Sequence, residues 1–254
     1  MSRLRLDHAL VRRGLVATRA RAQDFIKQGW VLVAGRVEMK PGRMTGDDEA
    51  ITLSEEAHGF VSRGALKLIA ALDAFGLTPE GRAALDIGAS TGGFTEVLIA
   101  RGASRVYAVD VGSGQLHPRL RDDPRVLSLE DTDARRLTPC EITEPPGSLT
   151  ADLSFISLTL VLPHVLALTA PDAWLVALVK PQFEVGRERI GKGGIVRDPD
   201  AQADAVDRVV ACISAQSGWS VLGRMPSPVT GRDGNREWLI GALSKASRRL
   251  MPRG

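Results

Sequence analysis

The run Ala83-Ala-Leu-Asp-Ile-Gly-Ala-Ser-Thr-Gly-Gly-Phe94 leaves the chain few folds to choose from, because an apolar strand delivers an acid and then a glycine-rich turn straight into a helix. Gly88, Gly92 and Gly93 let the backbone turn tightly and let a ligand approach the main chain. Phe94 to Ala100 continues as an amphipathic helix that Gly102 can cap. This is the build of a nucleotide-type cofactor site, and the spacing separates the cofactors. A dinucleotide fold favours G-x-G-x-x-G. Here Asp86 stands two residues before the first glycine and the glycines read G-x-x-x-G-G, the form used by S-adenosylmethionine enzymes. A second strand, Arg105-Val-Tyr-Ala-Val-Asp110, ends on an acid suited to ribose hydroxyls. Together Asp86 and Asp110 favour S-adenosylmethionine over NAD.

The expected cofactor-binding set is Asp86, Gly88, Ser90, Thr91, Gly92, Gly93 and Phe94 around the methionine and sulfonium end, with Asp110 and Val111 at the ribose. Asp131, Thr132 and Asp133 are expected beside the adenine, and Asp152 at the methyl end. Strands are predicted near 83–87, 105–110, 125–129, 148–153, 174–181, 219–225 and 236–243, with helices between most of them. That alternation means an α/β fold, a mostly parallel Rossmann-like sheet covered on both faces. The last two strands are separated only by the loop Pro226 to Asn235 and close the sheet as an antiparallel hairpin, which distinguishes methyltransferase sheets from nicotinamide-binding ones.

The formal charge of +3 hides an asymmetry, since residues 1–46 carry ten Lys/Arg against three acids and are +7, leaving −4 for the rest. A block that is almost all arginine suits phosphate oxygens. The RNA-binding candidates are Arg3, Arg5, Arg12, Arg13, Arg19, Arg21, Lys27, Arg36, Arg63 and Lys192. Residues 3–53 read as a separate module: Leu6, Ala9 and Leu10 share a helical face that Gly14 ends. Thr18 can cap a second helix whose Ala22, Phe25 and Ile26 face inward until Gly29. Trp30 to Val37 then reads as a strand and turn, with Ala50 to Leu53 as a return strand. The pattern resembles the ribosomal-protein-S-four-type RNA-binding domain, a small α+β module, except that Ala34 stands where that family commonly has asparagine. The domains expected are 1–54 for this module, 55–61 as linker and 62–254 for the sheet domain, which a helix from Ser62 to Phe75 opens.

Other chemistries are excluded by spacing. Cys140 and Cys212 show no C-x-x-C pattern, so neither a disulfide framework nor zinc is indicated, and the cytoplasm is the natural compartment. No apolar run approaches the ~18 residues that span a bilayer. His8, His58, His117 and His164 have no mutual ligand spacing, so no metal is expected. Gly186-Arg-Glu-Arg-Ile-Gly-Lys192 imitates a phosphate loop, but Gly193 replaces the Ser/Thr that would hold magnesium, and Gly194 with Asp198-Pro199 forbids a helix starting at the lysine. Arg187, Arg189, Lys192 and Arg197 around these glycines fit a basic loop over RNA instead. Asp152-Leu-Ser-Phe155 lacks the two prolines of the turn used by amino-methylating enzymes.

Lys67, Asp152, Lys180 and Glu237 remain. Asp152 and Lys180 fall at the carboxyl ends of predicted parallel strands, the rim where open α/β sheets bind ligands. Charged groups there are costly to desolvate unless they pair or act on a substrate. With Val61-Ser-Arg-Gly64, Asp86 to Phe94, Val109-Asp-Val-Gly112, Asp152 to Leu158, Leu178-Val-Lys-Pro-Gln-Phe-Glu184, Gly191-Lys-Gly-Gly194 and Ser227-Pro-Val-Thr-Gly231, the chain resembles the TlyA family of ribosomal-RNA 2′-O-methyltransferases over nearly its whole length. That family joins the S-four-type domain to an FtsJ-like methyltransferase domain, and its Lys-Asp-Lys-Glu tetrad falls on Lys67, Asp152, Lys180 and Glu237. Ala65, Ser113 and Asp133 depart from its usual glycine, tyrosine and asparagine.

The resemblance implies a monomeric enzyme using S-adenosylmethionine on ribosomal RNA in ribosomal subunits, at a cytidine, without a metal. Lys180 would be the general base, with desolvation and the Lys67 ammonium favouring its neutral amine. Asp152 would hold Lys180 in register, and Glu237 would orient Lys67 or the ribose. The reading from another class is a non-catalytic RNA-binding or ribosome-assembly factor that keeps the fold. A membrane-active haemolysin would need a spanning or strongly amphipathic segment, which the sequence lacks.

Overall fold

In the computed structural model, residues 3–16, 18–27, 29–53, 60–231 and 234–245 are described, and the chain separates into two units, Met1–Arg63 and Gly64–Gly254. Residues 55–59 of the expected linker lie outside the described residues.

The N-terminal unit runs β1 (Leu4–Arg5), α1 (Leu6–Arg12), α2 (Arg19–Lys27), β2 (Val31–Val33), β3 (Arg36–Val37), β4 (Met44–Thr45) and β5 (Ile51–Leu53). Thr18 accepts the Arg21 N–H at 3.2 Å and so caps α2. The apolar faces of both helices bury Leu6, Leu10, Phe25 and Ile26 with Trp30 and Val31 in one core. β3, β2 and β5 form an antiparallel sheet in that order, and β1 pairs with β4. Ala34 and Gly35 make the β2–β3 turn at φ +50° and +75°, the left-handed pair that a two-residue hairpin needs.

The second unit begins with α3 (Gly64–Phe75), two residues later than the sequence pattern predicts. It continues through β6 (Ala83–Ile87), α4 (Gly93–Ala100), β7 (Arg105–Val109), α5 (Pro118–Arg121), β8 (Val126–Leu129), β9 (Ser148–Ala151), α6 (Leu162–Leu166), β10 (Trp174–Val179), α7 (Pro181–Glu184), α8 (Pro199–Ser214), β11 (Trp219–Pro226) and β12 (Trp238–Ser244). The sheet order is β11-β12-β10-β9-β6-β7-β8, with β6 to β10 parallel and the last two strands antiparallel. β6 and β10 are buried along their whole length, as strands covered on both faces must be.

One strand end falls short of the sequence expectation for a simple reason, and one helix start agrees with it. β10 stops at Val179, because Pro181 has no N–H for the ladder and opens the α7 turn instead. α8 starts at Pro199 with Asp198 accepting the Asp200 N–H, well beyond Lys192. Gly102, at φ +88°, ends α4: the N–H groups of Gly102 and Ala103 bond back to Ile99 and Leu98 carbonyls. Chain order reverses between β6 and β9, and the carboxyl ends of those two strands bracket the crevice where such sheets take ligands.

Candidate active site

Gly88 leaves β6 at φ +82°, and a Cβ added to it would lie 2.5 Å from the Asp152 carbonyl oxygen. Only glycine lets the ends of β6 and β9 come this close. The Gly88 and Ala89 N–H groups both reach the Val109 carbonyl, at 2.8 and 3.1 Å, which cinches in the end of β7. Asp110 completes the knot: one carboxylate oxygen accepts the Ser90 N–H and the other the Gly112 N–H, each at 2.8 Å. Thr91 is half-buried beside it, its carbonyl accepting the His117 N–H, and Gly92 and Gly93 are buried. Val111, next along, is 72% exposed and offers an apolar face at the rim.

Asp86 departs from its expected role. Its carboxylate has no exposure and is shared by the hydroxyls of Thr95 at 2.7 Å and Thr150 at 2.8 Å. Burial, with the Asp152 charge adding to it, pushes its carboxyl up to about 6, while the two threonine hydroxyls act against the rise. A side chain closed off in this way cannot contact a ligand's amino group directly, and its effect is on the loop above it. Phe94 is corrected likewise, since its ring is 3% exposed and packs inward, leaving only backbone for a ligand.

On the β8 side, the residue that holds structure is Glu130, which the sequence reading passed over in favour of its three followers. Its carboxylate accepts the N–H groups of Gly114, Gln115 and Leu116 at 3.0, 2.7 and 3.1 Å, and these bonds lower its carboxyl. Gln115 then receives the Ser90 hydroxyl at 3.1 Å, so Glu130 reaches the glycine loop through one intermediary. Asp131, at φ +53°, is exposed; its N–H and that of Thr132 bond to the Gly112 and Asp110 carbonyls. Asp133 caps a short turn and forks onto Arg135, which holds its carboxyl down at about 2. Its oxygens are engaged there, not presented to the rim as expected.

The four charged candidates form two ion pairs. Lys67 on α3 meets Glu237 at 2.5 Å, and Lys180 meets Asp152 at 2.6 Å while donating to the Ser154 hydroxyl at 2.9 Å. Each lysine therefore faces a carboxylate. Three residues beyond Asp152 stands Phe155, 91% exposed at φ +65° with its ring 5.2 Å from that of Phe183. The signal for it was available, an aromatic residue in the loop directly after an acid at a strand end.

Residues 60–243 match the FtsJ-like methyltransferase family, and residues 4–44 match the S4 domain. The Mycobacterium tuberculosis protein named 16S/23S rRNA (cytidine-2'-O)-methyltransferase TlyA is 46% identical over 253 residues, 99% of this chain and 94% of that one. The chain belongs to the TlyA family of FtsJ-like methyltransferases. Hemolysin A of Brachyspira hyodysenteriae is 38% identical, covering 93% of this chain and 98% of its own. A solved Streptococcus thermophilus structure that carries the hemolysin name superposes with a TM-score of 0.75 at 41% identity, covering 97% of this chain and 90% of that one. Among the described residues no helix is long and apolar enough to cross a membrane.

The S4 unit does not present its arginines equally. Arg5 and Arg19 both pair with Asp7, whose fully buried carboxylate also accepts from Gln23 and is held below the usual carboxylate range by these donors against its burial. Arg12 pairs with Asp47, Arg43 with Glu38 and Glu49, and Arg13 donates to the carbonyls of Gly46, Asp47 and Glu49. Asp47 and Glu49 thus each neutralise one arginine of the block, and Arg13 is a fastener of that turn. Arg3, Arg21, Lys27 and Arg36 are exposed, Arg21 lying 5.0 Å over the Phe25 ring. Arg63 is half-buried, and Lys192 is exposed in a loop that Asn235 clamps through Gly194 and Val196. Arg189 of that loop is drawn to Asp198 and Asp204.

In the FtsJ-like unit the donor chemistry fits S-adenosylmethionine. A tight glycine turn, a carboxylate ending the next strand, an exposed apolar residue after it and a third acidic turn all stand at the carboxyl rim.

Proposed function

We propose that this protein transfers a methyl group from S-adenosylmethionine to the 2′-hydroxyl of a cytidine in ribosomal RNA, in the cytosol, with the S4 unit docking structured RNA through Arg3, Arg21, Lys27 and Arg36. The observation that carries the reading is the Asp152–Lys180 pair, 2.6 Å long and set at the strand end against which Gly88 packs.

S-adenosylmethionine, held by the Gly88 loop, Asp110, Val111 and the Asp131 turn, supplies when bound an electrophilic methyl carbon on a sulfonium. Lys180 would take up the proton that leaves the ribose hydroxyl as that oxygen attacks. Asp152 then stabilises the ammonium so formed. Glu237 fixes Lys67 so that its remaining N–H donors can face ribose oxygens, and positioning supplies much of the rate. Phe155 offers its exposed ring to a base, a contact that needs no sequence readout. Asp86 acts through the loop, anchoring Thr95 of α4 to Thr150 of β9 beneath it.

The test is incubation of purified protein with labelled S-adenosylmethionine and isolated ribosomal subunits, followed by ribose-methylation mapping. The expected result is a new 2′-O-methylcytidine. Subunit binding without methyl transfer would support the assembly-factor reading, and a methylated base in place of a ribose would overturn the mechanism.

A further inference from the structure

Phe155 keeps a left-handed backbone, φ +65°, that a bulky side chain adopts at a cost, and such residues persist only where neighbours hold them. The holder is a single helical turn. After β10, Lys180 and α7 grip the loop 152–158 at three points. Lys180 takes Asp152 and Ser154, Phe183 lays its ring against Phe155 at 5.2 Å, and Glu184 takes the far end. The Glu184 carboxylate is 4% exposed; it accepts the Ser157 hydroxyl at 2.5 Å and the Leu158 N–H at 2.8 Å. Its own carbonyl is held at 2.8 Å by Arg208 of α8.

A buried carboxylate is expensive, and burial pushes the Glu184 carboxyl up although Ser157, Leu158 and Arg208 oppose the rise. The opening of the loop needs no such help, because the Asp152 N–H already pairs with the Ile87 carbonyl at 2.9 Å. What Glu184 decides is therefore where the turn Ser154–Ile156 stands, and with it the exposed ring.

We infer that Glu184 is a positioning residue for methyl transfer: it anchors the far end of the loop so that Phe155 stands at the rim where the RNA base is received, a role that rests on the reading of Phe155 above. Glu184 touches neither RNA nor cofactor. Its contribution passes through hydrogen bonds and not through its charge. Glutamine can reproduce both bonds, with its carbonyl accepting the Leu158 N–H and its amide donating to the Ser157 oxygen.

The experiment is single-turnover methyl transfer to ribosomal subunits at saturating S-adenosylmethionine, with calorimetry of S-adenosylhomocysteine binding alongside. Glu184→Ala should slow transfer at least fivefold, by no more than Phe155→Ala does, while cofactor affinity stays within threefold, and Glu184→Gln should recover a rate within threefold of the parent. In a Phe155→Ala background the same Glu184→Ala change should cost threefold or less, because the residue it positions is gone. A purely structural Glu184 would give no such coupling, and independent, multiplying effects overturn the inference. If Glu184→Ala does not fold, Ser157→Ala replaces it and must slow transfer at least threefold with the same coupling to Phe155. Full activity of Phe155→Ala alone would remove the underlying reading. A slow Phe155→Ala beside a Glu184→Ala at parent rate would remove only the inference.

Discussion

Lys67 and Glu237, 170 positions apart in the chain, meet at 2.5 Å with side chains only 7% and 3% exposed. A pair so desolvated is held by its partner, and removing one member strands a buried charge. Lys67→Met should therefore cost about 3–5 kcal/mol of stability. The double variant Lys67→Met/Glu237→Leu should cost less than Lys67→Met alone. Urea unfolding of the three proteins measures both, and a Lys67→Met loss under ~1 kcal/mol would mean that the pair is far wetter than this geometry.

Lys180 distinguishes a base from an anchor. Lys180→Arg keeps a cation beside Asp152 but cannot lose its proton in the working range, so transfer should fall about as far as in Lys180→Ala, by roughly 10²–10⁴-fold. Single-turnover rates across pH with saturating cofactor and RNA decide the matter. Retention of most of the parent rate by the arginine variant would leave the proton to water or to Asp152.

Asp86 should give the fold a measurable acid signature. Its carboxyl is raised to about 6 in the folded chain against 3.8 as the ordinary value, so between those values the folded state binds more protons than the unfolded one. Its stabilising protonation is fully present below pH ~4 and is lost as pH rises through ~6. Relative to Asp86→Asn, the parent should lose up to about 3 kcal/mol across that window. Guanidinium unfolding at pH 4, 5, 6 and 7 tests this, and a pH-independent gap contradicts it.

The β2–β3 turn carries avoidable strain. Ala34 occupies the left-handed region at φ +50°, where an alanine is disfavoured and an asparagine is tolerated. Ala34→Asn should stabilise the hairpin by about 0.5–1 kcal/mol, read as slower amide exchange over residues 31–37. Faster exchange would show that the turn takes another form.

Phe155 should matter to transfer and not to folding, since its ring is 91% exposed. Losing one base-stacking surface is worth about 1–3 kcal/mol, a loss of roughly 5- to 150-fold in transfer. Phe155→Ala should leave the melting temperature within a degree or two. A large drop in melting temperature with unchanged transfer would reverse the assignment.

Much of this was readable along the chain because its causes are local. The glycine turn at 88–93, the cap on α2, the stop at Gly102 and the alternation of strands and helices each depend on a handful of adjacent residues. The same holds for the hairpin that closes the sheet. Side-chain assignments fared less evenly. Asp86 was readable as the acid before the glycines, but its closure by Thr95 and Thr150 was not, because Thr150 arrives from a strand 64 positions away. Among the acids 130–133, Asp133 is engaged by its near neighbour Arg135, whereas Glu130 is chosen by the distant loop 114–116.

The basic block shows the same division. Counting charges finds ten Lys/Arg in residues 1–46, yet Asp7 and the turn 46–49 engage half of them, leaving Arg3, Arg21, Lys27, Arg36 and Lys40 without an ion pair among the described residues. By itself the sequence determined the two units, the glycine turn and the alternation of strands and helices, since steric and periodic preferences act over a few residues. Tertiary structure alone decided which carboxylate meets which lysine, which arginine stays free and where Phe155 stands, because those contacts exist only once each unit folds and brings residues distant in the chain together.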